Sequence, residues 1–167
     1  MKQMFAHVAI ASSFALGGAH ALAADVNVQF DGGIGVDPVS GVSAGAPVLN
    51  TVQGVPPGGR PWVIRKLRAT VFVDGSISAK GSGLLLAGGD AIGTRAAIAQ
   101  VMATLFCGTD AFNSPAAALD AAGNFSIKGT LSPTPPSPCA SPVLLIRSTA
   151  GAGAWFAAGI PGREDDD

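Results

Sequence analysis

Few residues in this chain could act as nucleophiles or carry protons in a reaction. The two histidines are His7 and His20, and both lie in an N-terminal segment that we expect to be cleaved off. Without an imidazole, neither a Ser-His-Asp nor a Cys-His arrangement can activate a nucleophile. Lysine could replace histidine as the base, but the chain has no Ser-x-x-Lys motif. We therefore predict that the protein is not an enzyme.

The N-terminal segment has the layout of a secretory signal peptide. Lys2 gives it a positive start, residues 5–16 are mostly apolar, and an Ala-Leu-Ala sequence ends it at Ala23. We predict a signal peptide over residues 1–23, so that the mature protein is secreted or periplasmic. The alternative is a buried N-terminal helix. No cysteine lies near the cleavage point, so a lipid anchor is not expected.

The mature chain keeps two cysteines, Cys107 and Cys139. An even number of cysteines in an exported protein predicts a disulfide, and two cysteines leave one pairing within a chain. On the chain-entropy estimate, closing this loop stabilises the protein by about 3–4 kcal/mol. A metal-binding or catalytic thiol pair is the competing interpretation, which the absence of histidine disfavours.

Aspartates are the remaining candidates for chemistry. Two carboxylates can divide the general acid and base roles, as in glycoside hydrolysis, so a small aspartate-based hydrolase is the alternative function. Most of these aspartates adjoin glycine, alanine or asparagine in predicted turns, where aspartate bonds to its own backbone. The seven that precede the acidic C-terminal run are Asp25, Asp31, Asp37, Asp74, Asp90, Asp110 and Asp120.

Calcium is the one cofactor that the sequence suggests. Asp31 with Asp37, or Asp90 near Asp110, could supply the oxygen ligands that calcium prefers. Neither stretch has the spaced acidic pattern of an EF-hand loop. We therefore predict no metal site, with these four residues as the calcium candidates and a calcium-binding or ligand-binding accessory protein as a further alternative.

Aromatic and basic side chains could contact a partner. Trp62, Trp155 and Phe156 could form a carbohydrate-stacking platform or an interface with another chain, although large aromatics often fill a core. We expect Trp155 in the core and keep Trp62 as a candidate contact residue. The basic run at residues 65–68 contains three cations, which strand alternation is expected to divide between two solvated faces.

The overall charge excludes some partners. The chain carries a net charge of -1, so neither nucleic acid nor an anionic membrane surface is an expected partner. No apolar run after the signal peptide approaches the roughly 20 residues of a membrane-spanning helix. The expected partner is an unidentified protein or a surface glycan, and self-association remains open.

Residues 62–89 carry the clearest structural signal, a β-hairpin turning at Asp74-Gly75. Two registers are open. A two-residue loop would place Phe72 opposite Ile77, whereas a three-residue bulged loop would place Val73 opposite Ile77. We favour the second register, because it puts Leu67, Ala69, Val71, Val73 and Ile77 on one apolar face and Arg68, Thr70, Ser78 and Lys80 on the other.

The other segments are short, turn-punctuated and mostly strand-like. Apolar and polar residues alternate in the N-terminal and C-terminal segments, whereas residues 94–107 have mixed helical and strand character. We predict a strand over about 99–107 and leave open a helical turn near Arg95. The further predicted strands are residues 24–30, 48–52, 116–119, 125–131, 143–148 and 154–160, with loops at 31–47 and 132–142.

Seven to nine short strands with regular turn signals predict an all-β protein. The expected fold is an antiparallel β-sandwich of immunoglobulin-like type, with a small β-barrel as the alternative. We divide the chain into the signal peptide, an N-terminal strand with a Gly/Pro-rich connector at 24–61, the sandwich core at 62–160, and an acidic disordered tail at 161–167.

Several stretches resemble parts of small exported bacterial proteins of unassigned function. They are CGTDAFNSPAAALDAAGNFSIKGTL, PPSPC, PVLLIRS and GAWFAAG, together with GSGLLLAGGDAIGT. The resemblance spans about residues 62–160 and implies export and a β-sandwich, but no activity or catalytic residue. The predicted function is thus a secreted or periplasmic, non-enzymatic structural or binding protein, such as a cell-surface, matrix or adhesion component.

Overall fold

The structure, a computed structural model, describes residues 24–162. The predicted signal peptide and the acidic residues after Gly162 lie outside the described range. Within it every regular element is a β-strand and there is no helix. The strands are β1 (Val26–Gly35), β2 (Val39–Ser43), β3 (Ala46–Leu49), β4 (Trp62–Val63), β5 (Lys66–Phe72), β6 (Ser76–Ser82), β7 (Leu85–Leu86), β8 (Gln100–Cys107), β9 (Asp110–Asn113), β10 (Ala117–Ala118), β11 (Phe125–Thr130), β12 (Pro142–Ser148) and β13 (Trp155–Pro161).

Nine of these strands form one antiparallel sheet. Its order is β10-β8-β12-β13-β1-β5-β6-β11, with β9 also paired to β8. The sheet curls like a half-barrel, and its two end strands, β10 and β11, come into contact. Two small ribbons, β2-β3 and β4-β7, complete the fold. The all-β antiparallel prediction is confirmed; an immunoglobulin-like strand arrangement stays a prediction.

The core lies inside the curl, and β12 contributes a deeply buried run to it. Leu144, Leu145 and Ile146 are consecutive and all fully buried, so both faces of this strand are covered. Its neighbour β8 is buried along most of its length. A continuous apolar run is typical of a strand that has no solvated face, which agrees with the burial of β12. The mixed pattern of residues 94–107 made β8 harder to predict from the sequence.

The N-terminal strand is longer and more central than the sequence indicated. β1 runs to Gly35 and lies between β13 and β5, so the sheet begins at Val26 and not at Trp62. Gly35, which the sequence assigned to a loop, lets the backbone of β1 approach the backbone at Trp62. A Cβ placed on Gly35 would lie 2.0 Å from the carbonyl oxygen of Trp62. At this position glycine marks close packing rather than a connector.

The rest of the predicted connector also contains strands. β2 and β3 form a two-stranded ribbon in which every residue is exposed, and β3 ends at Leu49 rather than at Val52. The ribbon carries exposed valines and a leucine and no charged residue. Its outer edges are unpaired within the described residues. Self-association, which the sequence left open, is not decided by these exposed edges.

The central hairpin forms, but in neither of the two registers considered. Val71 pairs with Ile77 and Ala69 with Ala79, two residues away from the favoured register. A shift of two residues keeps side chains on the same faces, so Leu67, Ala69, Val71 and Ile77 are buried as predicted. Val73 is the exception: it leaves the strand at the turn and is 43% exposed.

Most of the remaining strands agree closely with prediction, although β9 was not predicted. β8 begins at Gln100. The helical turn that was left open near Arg95 is a β-turn, in which the amide of Ile98 donates to the carbonyl of Arg95 (3.2 Å). β10 pairs only with β8 and is therefore an edge strand. β11, β12 and β13 coincide within one or two residues with their predicted ranges.

Candidate functional site

The most strongly charged surface is the outer face of β5 and β6, next to β1. Leu67, Ala69 and Val71 point into the core, so the alternating Lys66 and Arg68 must point outward. Two adjoining depressions on this face share Asp31, Arg68 and Lys80 in their walls. We call this surface the basic groove; its charged members are Asp31, Arg65, Lys66, Arg68 and Lys80, with Lys128 at its border on β11.

Strand register arranges the lysines in a diagonal line. Lys66 lies on β5. Lys80 lies on the next strand, β6, displaced by two residues along the strand direction, and Lys128 lies on β11, displaced by two residues more. Neighbouring strands are about 4.8 Å apart and two residues along a strand span about 6.7 Å. Successive lysines are therefore roughly 8 Å apart at the backbone. Such a line suits an extended ligand rather than a compact one.

One ion pair lies within the groove. The Nε of Arg68 is 3.0 Å from an Oδ1 of Asp31, and these side chains are 81% and 68% exposed. An ion pair this exposed contributes about 0–1 kcal/mol to stability. Arg68 also lies directly opposite Lys80, and like charges at such positions destabilise a sheet. The cations are therefore held together despite their repulsion.

The grouping of Arg65, Lys66 and Arg68 corrects the sequence-based expectation. Strand alternation was expected to divide them between two faces, but β5 begins only at Lys66. Arg65 precedes the strand, and its side chain lines the same groove as the other two. Had the predicted strand begun at Lys66, with Arg65 left outside the alternation, the sequence would have allowed all three cations on one face. Five of the eight lysines and arginines in residues 24–162 lie at this groove, with one of the seven aspartates.

The four calcium candidates are not brought together into an acidic site. Asp31 pairs with Arg68, and the Oδ1 of Asp37 accepts a hydrogen bond from the amide of Val39 (3.2 Å). Across residues 24–162 no three or more histidine, cysteine, aspartate or glutamate side chains form a group able to hold a metal ion. Asp90 lies in a turn, while Asp110 begins β9.

Two other aspartates have structural partners in turns. The hydroxyl of Ser76, followed by its amide, lowers the pKa of Asp74. The amide of Asn124, followed by its side chain, lowers the pKa of Asp120. Asp120 accepts from Asn124 at both carboxylate oxygens, at 2.8 and 3.0 Å. These carboxylates are fixed in turn geometry, as the sequence suggested for aspartate beside glycine and alanine.

The aromatic candidates pack inside the protein. Trp62 is 5% exposed and its ring lies against Phe156, with ring centroids 4.4 Å apart. The indole Nε1 of Trp155 donates to the carbonyl of Asn50 (2.9 Å). Because these rings are buried, they do not form an exposed stacking platform. Trp62 was left open between core and contact, and the structure places it in the core.

The predicted disulfide joins Cys107 and Cys139, whose Cα atoms are 5.0 Å apart. It ties the proline-rich connection to the end of β8, as expected. Asn27 of β1 holds the same connection from the other side: its side-chain amide donates to the carbonyl of Pro136 (2.8 Å), and its Oδ1 accepts from the amide of Cys139 (3.1 Å).

No known protein family, curated protein or solved structure matches this chain. No helix between residues 24 and 162 is long and apolar enough to cross a membrane.

Proposed function

We propose that this chain is an exported, non-enzymatic binding protein whose basic groove binds an anionic glycan. The observation that carries the proposal is the concentration of five cations at one sheet face beside a single aspartate. Clustered charge of one sign raises the local concentration of oppositely charged ligands. Carboxylate or sulfate groups along a sugar chain supply that opposite charge.

The cost of the cluster supports a role beyond folding. Arg68 and Lys80 face each other across β5 and β6, which destabilises the sheet, and the exposed pair with Asp31 compensates only weakly. Natural sequences tend to break such local rules at functional sites. A bound anion would relieve the repulsion, which is a reason for both cations to be there.

The shape of the groove favours a polymer. The lysines form a line of about 16 Å across three strands, counting two steps of roughly 8 Å. The groove is a shallow depression on a sheet, whereas small molecules usually occupy deep and mostly apolar clefts. A glycan with repeated anionic groups can contact several cations along this line at once.

Two further observations agree with the remaining parts of the proposal. The Cys107–Cys139 disulfide is typical of oxidising compartments outside the cytoplasm, where surface glycans are encountered. The groove holds a single carboxylate, Asp31, which is paired with Arg68. Glycoside hydrolysis usually needs two carboxylates flanking the bond, which favours binding without cleavage.

The test is titration of the purified protein with heparin, a sulfated glycan, and with hyaluronan, a carboxylated one. Cations near an anionic surface contribute about 1 kcal/mol each, so Lys80→Gln should weaken binding about fivefold at low salt. The matched control is Arg60→Gln, an exposed cation outside the groove, which should change the affinity less than about twofold.

Stability measurements sharpen the same test. Lys80→Gln removes the repulsion with Arg68, so its melting temperature should be equal to or above that of the wild type. Weaker binding in a protein of unchanged stability would locate the ligand at the groove. Equal losses of affinity in the two variants, or no binding of either glycan at low salt, would reject the proposal.

A further inference from the structure

Gly162, the last described residue, lies at the edge of the basic groove. Its amide donates a hydrogen bond to the carbonyl of Gln29 (2.9 Å), and Gln29 lines the groove beside Asp31. The preceding residue, Pro161, is opposite Phe30 in the register of β13 with β1. The chain therefore leaves the sheet with one strand, β1, between it and β5, which carries Lys66 and Arg68.

The sequence that follows is complementary in charge to this surface. Arg163 is followed by four consecutive acids, residues 164–167. Arg68 lies two strands from β13, roughly 12 Å from Gly162 on standard sheet spacings. Lys80 lies one strand further, at roughly 16 Å. Five residues can span up to roughly 17 Å, so the last carboxylates of the segment can reach Arg68 and, when the segment is fully extended, Lys80.

We propose that residues 164–167 bind the basic groove of their own molecule and compete there with the anionic glycan. This inference rests on the proposed function, because it adds a second occupant to the same site. A short covalent connection gives the acids an effective concentration of about millimolar. If they fill the groove for nine-tenths of the time, the apparent affinity for the glycan falls about tenfold.

The first experiment compares heparin affinity in two variants of the full chain. One neutralises the acidic segment with Glu164→Gln, Asp165→Asn, Asp166→Asn and Asp167→Asn. The other makes the same change in net charge elsewhere, with Asp25→Asn, Asp37→Asn, Asp90→Asn and Asp110→Asn, all outside the groove. The first variant should bind heparin about threefold to tenfold more tightly than wild type at low salt.

The control variant reports the effect of net charge alone. We expect it to gain less than about twofold, because none of its four acids lines the groove and salt screens charges that lie outside the site. Equal gains in both variants, or no gain in the first, would overturn the inference. Binding of heparin by the wild type would still leave the proposed function standing.

A second experiment tests the contact without any glycan. A zero-length carbodiimide reagent activates a carboxylate, and a lysine amine within contact distance then forms an amide with it. In the monomer, residues 164–167 should cross-link to Lys66, Lys80 or Lys128. A reference lysine introduced by Thr51→Lys, at an exposed position away from the groove, should give at least about tenfold less product.

Cross-links to the groove lysines in a protein that binds neither heparin nor hyaluronan would retain the intramolecular contact and reject the glycan. Equal cross-linking yields at the reference lysine and the groove lysines, or no cross-link to the groove, would reject the intramolecular contact regardless of whether heparin binds. The two proposals can therefore fail separately.

Discussion

Removing the Cys107–Cys139 cross-link should lower the free energy of unfolding by an amount set mainly by the loop it closes. The two residues are 32 positions apart. The chain-entropy relation then gives a loss of about 3.7 kcal/mol at 25 °C. That is a large part of the 5–15 kcal/mol typical of a domain, so we expect the reduced protein to be folded but much less stable.

Two features of the native structure keep the loop in place when the bond is absent. Asn27 bonds to Pro136 and Cys139, and the amide of Gly108 donates to the carbonyl of Ala140 (2.7 Å). The native contacts therefore change little on reduction, and most of the effect falls on the unfolded chain. A less restricted unfolded chain exposes more surface, so the denaturant m-value should rise.

The assay is urea unfolding of three proteins: the oxidised wild type, the reduced wild type, and the double variant Cys107→Ala with Cys139→Ala. The oxidised and reduced forms differ only in the cross-link, so their difference isolates it. The double variant also loses the packing of the two sulfur atoms, because both cysteine residues are largely buried (7% and 9% exposed). It should lie about 1 kcal/mol or less below the reduced form. A difference under about 1 kcal/mol between oxidised and reduced protein, with an unchanged m-value, would refute this reasoning.

Two further predictions concern local geometry. Gly35→Ala forces a Cβ to within 2.0 Å of the Trp62 carbonyl oxygen and should lower the free energy of unfolding by about 3 kcal/mol in thermal or urea unfolding. The matched control is Gly41→Ala, whose Cβ meets nothing within 4 Å. Equal losses of stability in the two variants would show that β1 does not pack as described. Asp120 has a lowered pKa in the folded state, so its contribution to stability is present above the unfolded pKa and lost as pH falls below about 4. Asp120→Ala should therefore flatten the acid limb of the stability-versus-pH curve relative to Asp110→Ala, and parallel curves for the two variants would contradict the turn assignment.

Much of the secondary structure was readable because period-two alternation and apolar runs are local properties. The apolar run at residues 143–146 predicted a strand, and β12 forms there with its central residues buried. The sequence-based prediction failed at a glycine whose role is to make room for a neighbouring segment of the folded chain. Gly35 looked like part of a loop, yet it is a strand residue packed against the backbone at Trp62. No local pattern separates a glycine that turns the chain from one that makes room for another strand.

The basic groove was only partly foreseeable. Outward positions for Arg68 and Lys80 followed from alternation, and those two side chains are exposed as expected. Lys128 belongs to a separate strand, and its place beside them depends on the pairing of β11 with β6. Arg65 was misassigned because strand alternation was extended one residue too far.

The amino-acid sequence by itself determined which side chains face inward within each strand and which two cysteines pair, because alternation acts over neighbouring residues and only two cysteines exist. Tertiary structure alone decided that β1 lies between β13 and β5 and that β11 borders β6. Strands distant in sequence become neighbours according to how their buried faces pack together and which edges remain to be paired. That arrangement gathers cations from three strands onto one surface.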